Sequence, residues 1–135
     1  MSGFTNSPTP MPLQIEGTSD TWVLTIPAGW EVVKIQSRIL IHLRASDGLA
    51  ALVSAARMDD GKVWIHGSVS RQNKMPDYQD MVRLKNLAFG PNRYAAQVMV
   101  PESKHVNIHN YCLHLWGPLY ANEWPMPEFS KGGMI

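Results

Sequence analysis

The sequence has little cysteine, little charge and no long apolar run. Cys112 is the single cysteine among 135 residues, so no internal disulfide can form and the fold must depend on packing. No stretch approaches the roughly 20 apolar residues of a membrane-spanning helix. The first residues have neither the basic nor the apolar segment of a secretory signal. We therefore expect a cytoplasmic protein without a membrane partner.

The sequence also has no large excess of charge of either sign. Twelve Lys and Arg residues oppose eleven Asp and Glu residues, which leaves a formal net charge of +1. Such a chain has no broad positive field to attract duplex nucleic acid, so a nucleic-acid partner is not favoured. The 44% apolar content is enough for the core of a single domain. Eight methionines and five tryptophans suit an adaptable core or a contact surface.

Three regions are predicted along the chain. Residues 1–19 alternate prolines with small polar residues, which is typical of a flexible N-terminal arm. Residues 20–117 form a single α+β domain in this interpretation. Residues 118–135 combine Gly and Pro with aromatic side chains and are predicted to be an irregular Pro/aromatic tail. Because the arm and the tail could both cross to a neighbouring copy, the organisation is consistent with a homodimer.

The predicted fold is an antiparallel sheet with one helix packed on one of its faces. Two Asp-Gly turns, at 47–48 and 60–61, separate strand-like runs and predict a three-stranded meander. A helix is predicted over residues 76–90, with a proline and two aspartates in its first turn and Gly-Pro at its end. Two further strands then follow. The strand-like runs are residues 38–44, 49–57, 62–70, 93–100 and 105–116, and the segment 21–26 also reads as a strand.

Four of the five histidines lie in two strand-like segments, residues 64–70 and 105–116. Alternation puts Trp64, His66, Ser68 and Ser70 on one face of the first segment, opposite an apolar set. In the second segment His109 and His114 share a face if a bend near residue 110 shifts the parity. If the two strands are neighbours, His66, Ser68, His109 and His114 converge. One sequence does not fix that pairing.

One hypothesis is phosphoryl chemistry. His66-Gly67-Ser68 fits the minimal pattern of the two-histidine phosphoesterases, in which a histidine and a hydroxyl two residues later face the same phosphate. That pattern requires a second His-x-Ser or His-x-Thr, and the chain has none. If the protein is an enzyme, the predicted catalytic residues are His66, Ser68, His109 and His114.

A second hypothesis is a metal site built from His105, His109 and His114 with His66 or Cys112. The spacing argues against it, because residues four apart on an extended strand lie about 13 Å from each other. We therefore predict no metal and no cofactor.

The third hypothesis is a binding surface formed by the polar and aromatic strip. Such a surface requires no catalytic group, and its expected partner is a host protein or a small-molecule ligand. The predicted binding residues are Trp64, His66, Ser68, Ser70, Arg71, His109, His114 and Trp116.

The segments Trp64–Arg71 (WIHGSVSR) and Tyr111–Trp116 (YCLHLW), with the residues between them, resemble a family of small proteins of bacteriophages and prophages. That family is described as a domain of unknown function, so the resemblance implies no particular activity. It implies a phage origin and a location in the bacterial host cytoplasm. Small phage proteins of this kind bind host proteins, blunt host defences or sequester signalling nucleotides. The leading hypothesis is thus a non-catalytic phage accessory module, and the alternative is a phosphodiesterase or nuclease.

Overall fold

The computed structural model describes residues 4–72, 74–90, 97–99 and 110–119. These ranges contain strands and a helix in the mixture expected of an α+β fold, as predicted. Within them, no helix combines the length and the apolar character needed to span a membrane. The elements are β1 (Thr9–Gln14), β2 (Thr21–Ile26), β3 (Trp30–Gln36), β4 (Leu40–Ala45), β5 (Ala50–Arg57), β6 (Val63–Gln72), α1 (Tyr78–Phe89), β7 (Gln97–Met99) and β8 (Asn110–Pro118).

The main sheet has the strand order β3-β4-β5-β6-β8-β7, and every neighbouring pair is antiparallel. Its centre is the predicted meander, β4-β5-β6, which is confirmed. Gly48 and Gly61 have φ angles of 96° and 84° in the two turns, a conformation that side-chain-bearing residues rarely adopt. The chain then leaves the sheet for α1 and returns with β8 beside β6.

The predicted strand count and sheet layout are wrong. β1 and β2 form a separate two-stranded sheet, and β3 adds a strand to the edge of the meander. A register shift between Val32 and Lys34 interrupts the pairing of β3 with β4. Such a bulge breaks the alternation of side chains along a strand, which explains why β3 was not among the predicted strands.

The flexible arm predicted over residues 1–19 also needs correction. Residues 9–14 of that region pair with β2 along their whole length. Leu13 and Ile15 are only 1% and 2% exposed, because they pack into the core of the domain. Pro10 and Pro12 are compatible with this strand, since a proline on an edge strand need not supply a ladder N–H. The predicted tail falls largely on residues 120–135, which lie outside the described residues.

One face of the main sheet carries the core. The side chains of β4, β5 and β6 that point to this face are buried together with α1 and the β1-β2 hairpin. Asp77 caps α1 in a capping box with Asp80, so the helix starts close to its predicted position. Gly67 lets α1 approach β6 closely: a Cβ there would lie 2.9 Å from Leu84 Cδ1 and 3.2 Å from Ala88 Cβ.

The opposite face of the main sheet holds the polar strip. Its side chains are half-buried or exposed, except for Ser68, which is 7% exposed. We call this surface the open face. It is formed by the alternate positions Leu40, His42 and Arg44 of β4, Ala50, Leu52, Ser54 and Ala56 of β5, Trp64, His66, Ser68 and Ser70 of β6, and Cys112, His114 and Trp116 of β8.

Candidate functional site

The pairing of β6 with β8 brings the two histidine-bearing segments together. In the register of this pair, His66 lies opposite Trp116, Ser68 opposite His114 and Ser70 opposite Cys112. The apolar positions of both strands face α1, so the polar positions share the open face, as the alternation predicted. The sequence could not establish this pairing, because nothing local in either segment specifies its neighbour.

The central feature of the open face is a direct contact between two imidazoles, His66 and His114, which we call the histidine pair. His66 Nε2 and His114 Nδ1 are 2.9 Å apart, a hydrogen-bond distance. The two rings are nearly parallel, with an angle of 9° between their planes. Trp116 stacks on His66 with ring centroids 4.1 Å apart. The indole thus fixes the orientation of one imidazole, and the hydrogen bond fixes the other.

The histidine pair can carry at most one positive charge while this bond exists. An N–H···N bond needs a proton on one nitrogen and a lone pair on the other, so two imidazolium rings cannot form it. Burial lowers the pKa of His66, and the proximity of His114 lowers it further. Burial favours the neutral form of the pair, and the repulsion between the rings disfavours a second proton. A neutral pair offers one N–H and one lone pair outward, at His66 Nδ1 and His114 Nε2.

Next to Ser68, which lies opposite His114 across the strands, the open face forms a groove of about 400 Å³ that neither imidazole of the histidine pair lines. Its polar lining includes Ser68 and Ser70, and Leu52 supplies an apolar wall. Among the described residues, neither serine hydroxyl has a hydrogen-bond partner. Cys112 also lines the groove, and burial raises the pKa of its thiol. The protonated thiol is a weak nucleophile, so Cys112 serves the groove as a small lining side chain.

The histidine pair lies within a part of the chain that matches a family model. Residues 56–120 match the family model of a domain of unknown function, DUF7694. No curated protein and no solved structure matches the chain. The DUF7694 region includes the resemblance noted over residues 64–116, and it contains β6, α1 and β8 with the whole histidine pair. The β4 and β5 side of the groove lies largely outside it, so the region alone does not contain the complete open face.

Arg71 does not belong to the open face, and its prediction as a binding residue needs correction. Position 71 has the same parity as Val69, so its side chain points towards α1. There its Nε and Nη2 donate to the two carboxylate oxygens of Asp80 at 2.8 Å, and Nη2 also donates to Asp47 at 3.0 Å. This guanidinium is the main cause of the lowered pKa of Asp80. Arg71 therefore anchors α1 to the sheet instead of facing a ligand.

Sequence reasoning also missed part of the site. His42, Leu52 and Arg44 were not among the predicted binding residues. All three line the groove, because β4 and β5 continue the same cross-strand rows as β6 and β8. The alternation of side chains along β4 and β5 would have placed these residues on the same face as His66 and Ser68, had it been followed across the meander.

The remaining candidates are His109, predicted as a binding residue and as a catalytic residue of the alternative, and the residues of the metal hypothesis. His105 and His109 lie outside the described residues. In the described part of the chain, no three His, Cys, Asp or Glu side chains are grouped so that they could hold a metal ion.

Proposed function

We propose that the protein is a non-catalytic binding module and that its ligand site is the open face around His66 and His114. The observation that carries this proposal is the hydrogen-bonded histidine pair, oriented by Trp116 and placed beside a groove. A volume of about 400 Å³ is within the range of small-molecule sites. Such sites combine apolar walls with a few oriented polar groups, and Leu52 and Ser68 supply both kinds here.

A small ligand suits this surface better than a host protein, because the groove is concave and modest in size. The resemblance of residues 64–116 to phage and prophage proteins supports a finer proposal. We infer a phage-encoded accessory protein of the bacterial cytoplasm that acts against host defence by sequestering a signalling nucleotide.

The binding role is favoured over catalysis by what surrounds the histidine pair. A catalytic histidine is usually oriented by a third group, most often a carboxylate. Among the described residues, neither His66 nor His114 forms a salt bridge with Asp or Glu. The hydrogen-bond partner of each imidazole is the other imidazole.

A second candidate function is supported by the same contact. A neutral histidine pair has an outward lone pair that can act as the general base of RNA transesterification, and the imidazolium that forms there can act as the general acid. The lone pair would take the 2′-hydroxyl proton as the oxygen attacks phosphorus, and the N–H so formed would protonate the departing 5′ oxygen, which returns the pair to its neutral form. Ser68 lies next to His114 across the strands and would hydrogen-bond a phosphate oxygen. A phosphodiesterase or nuclease is therefore the alternative.

One experiment separates the two functions. The full-length protein is titrated with cyclic dinucleotides, ADP-ribose derivatives and short RNAs, with binding followed by calorimetry and the recovered ligand examined by chromatography. The binding proposal predicts stoichiometric binding with the ligand recovered intact, and loss of that binding in His66→Ala but not in Lys74→Ala. Lys74 is an exposed residue in the segment before α1 and serves as the control. Product formation that disappears in His66→Ala would establish the enzyme instead.

A further inference from the structure

We propose that the histidine pair is a proton-coupled anion site. In this proposal it binds the phosphoryl group of a small ligand, and the pair takes up one proton when that anion binds. The inference rests on the proposed binding function and specifies its ligand class. It depends on the hydrogen bond between the rings, on the hydroxyls next to them and on the absence of a paired carboxylate among the described residues.

The bond between the rings determines what each protonation state offers a ligand. The neutral pair has one outward N–H and one outward lone pair and no net charge, so it does not offset the charge of an anion. One added proton turns the lone pair into a second N–H and leaves the inner hydrogen bond intact. Both outward nitrogens, His66 Nδ1 and His114 Nε2, then donate. These two nitrogens lie at opposite ends of the pair and point away from each other, so one phosphoryl group accepts from one of the two N–H groups, and the single positive charge of the pair stabilises the anion.

Two hydroxyls extend this site along β6. Ser68 lies opposite His114 across the strands, and Ser70 is the next residue on the same face. Both line the groove, and within the described ranges neither hydroxyl donates to a protein atom. Each is therefore available to donate to a phosphate oxygen. The groove runs from these hydroxyls towards Leu52 and Arg44 and gives space for the rest of the ligand.

In the part of the chain that the structure describes, no carboxylate forms an ion pair with either imidazole of the histidine pair. On β8 the neighbour is Cys112, and β5 contributes no ionisable side chain to this face. On β4 the ionisable groups are His42 and Arg44, and Arg44 Nη2 is bound to Glu31 of β3 at 2.7 Å. Lys34 of β3 lies beside His42 in the register. The residues of β7 that pair with His114 and Trp116 are Met99 and Gln97, neither of which titrates.

The test uses cyclic 3′,5′-adenosine monophosphate as the probe, because its phosphodiester does not titrate near neutral pH. Adenosine is the matched uncharged probe, and inorganic phosphate distinguishes a free anion from a phosphorylated ligand. Each is titrated calorimetrically at about pH 8 in two buffers of different ionisation enthalpy, which gives the number of protons exchanged. The proteins are the wild type, His66→Gln, His114→Gln and the control Lys74→Gln.

The proposal predicts that the wild type and Lys74→Gln take up about one proton per bound cyclic nucleotide, and that affinity falls up to about tenfold per pH unit above neutrality. It predicts that both glutamine variants lose this proton uptake. Equal binding of adenosine and the cyclic nucleotide, without proton exchange, would overturn the anion site but leave the binding function standing. If none of these probes binds while an uncharged ligand occupies the groove, the anion site is also overturned and the binding function still stands. If no ligand of any kind binds to the open face, both proposals fail.

Discussion

Replacing Arg71 with methionine should strongly destabilise the fold, because the substitution leaves a buried carboxylate without its main partner. The Asp80 side chain is 3% exposed and that of Arg71 is 17% exposed, and two contacts of 2.8 Å join them. Removing one member of such a buried pair costs about 3–5 kcal/mol. Arg83 Nη1 lies 3.5 Å from Asp80 Oδ1 and can compensate in part. We therefore expect a loss of about 3 kcal/mol in the free energy of unfolding.

Urea unfolding followed by tryptophan fluorescence measures this loss, because Trp22 and Trp30 are buried in the core and report its exposure. The matched control is Arg44→Met, which breaks the ion pair with Glu31 at a site where the arginine side chain is 55% exposed. An exposed pair contributes less than about 1 kcal/mol, so the control should unfold close to the wild type. Equal stability of the two variants would refute the anchoring role of Arg71.

Three further predictions concern β6 and β8. Gly67→Ala should reduce stability by about 1–3 kcal/mol and Gly67→Val by more, since the added atoms meet Leu84 and Ala88; a neutral result in urea unfolding would show that α1 does not approach β6 as described. The lowered pKa of His66 means that the unfolded chain binds its proton first as pH falls. The stability linked to it is present above the reference value of 6.5 and is lost as pH decreases through the folded pKa. Unfolding free energies measured from about pH 8 to pH 5 should therefore decline more steeply for the wild type than for His66→Gln, and parallel profiles would contradict this. The raised pKa of Cys112 predicts slow alkylation by iodoacetamide in the native protein and fast alkylation in urea, whereas equal rates would show an accessible thiolate.

Local patterns in the sequence predicted the centre of the fold. Alternation and two Asp-Gly turns were sufficient for β4, β5 and β6, and aspartates with a terminal Gly-Pro located α1. β1 was missed because its prolines were given more weight than its period-two apolar pattern of Met11, Leu13 and Ile15, which is typical of a strand with one buried face. The two-sheet layout depends on contacts between distant segments, and a single sequence contains no local signal for them.

The candidate site was predictable in composition but not in geometry. Alternation selected His66, Ser68, His114 and Trp116, and the structure brings these four together. Their role in binding stays a prediction. The same alternation would have excluded Arg71, whose parity places it with the apolar positions of β6. The hydrogen bond between the imidazoles could not be foreseen, because it depends on the register of β6 with β8.

The most direct test of the binding site is a nuclear magnetic resonance titration that observes the side chains themselves. Protein labelled with nitrogen-15 is titrated with the cyclic nucleotide while the imidazole nitrogens of His66 and His114 and the indole N–H signals are recorded. The binding proposal predicts saturable shifts at both imidazoles and at Trp116, with the signal of the buried Trp22 unchanged. Saturable shifts confined to α1 or to the β1-β2 hairpin, with both imidazoles unaffected, would contradict it.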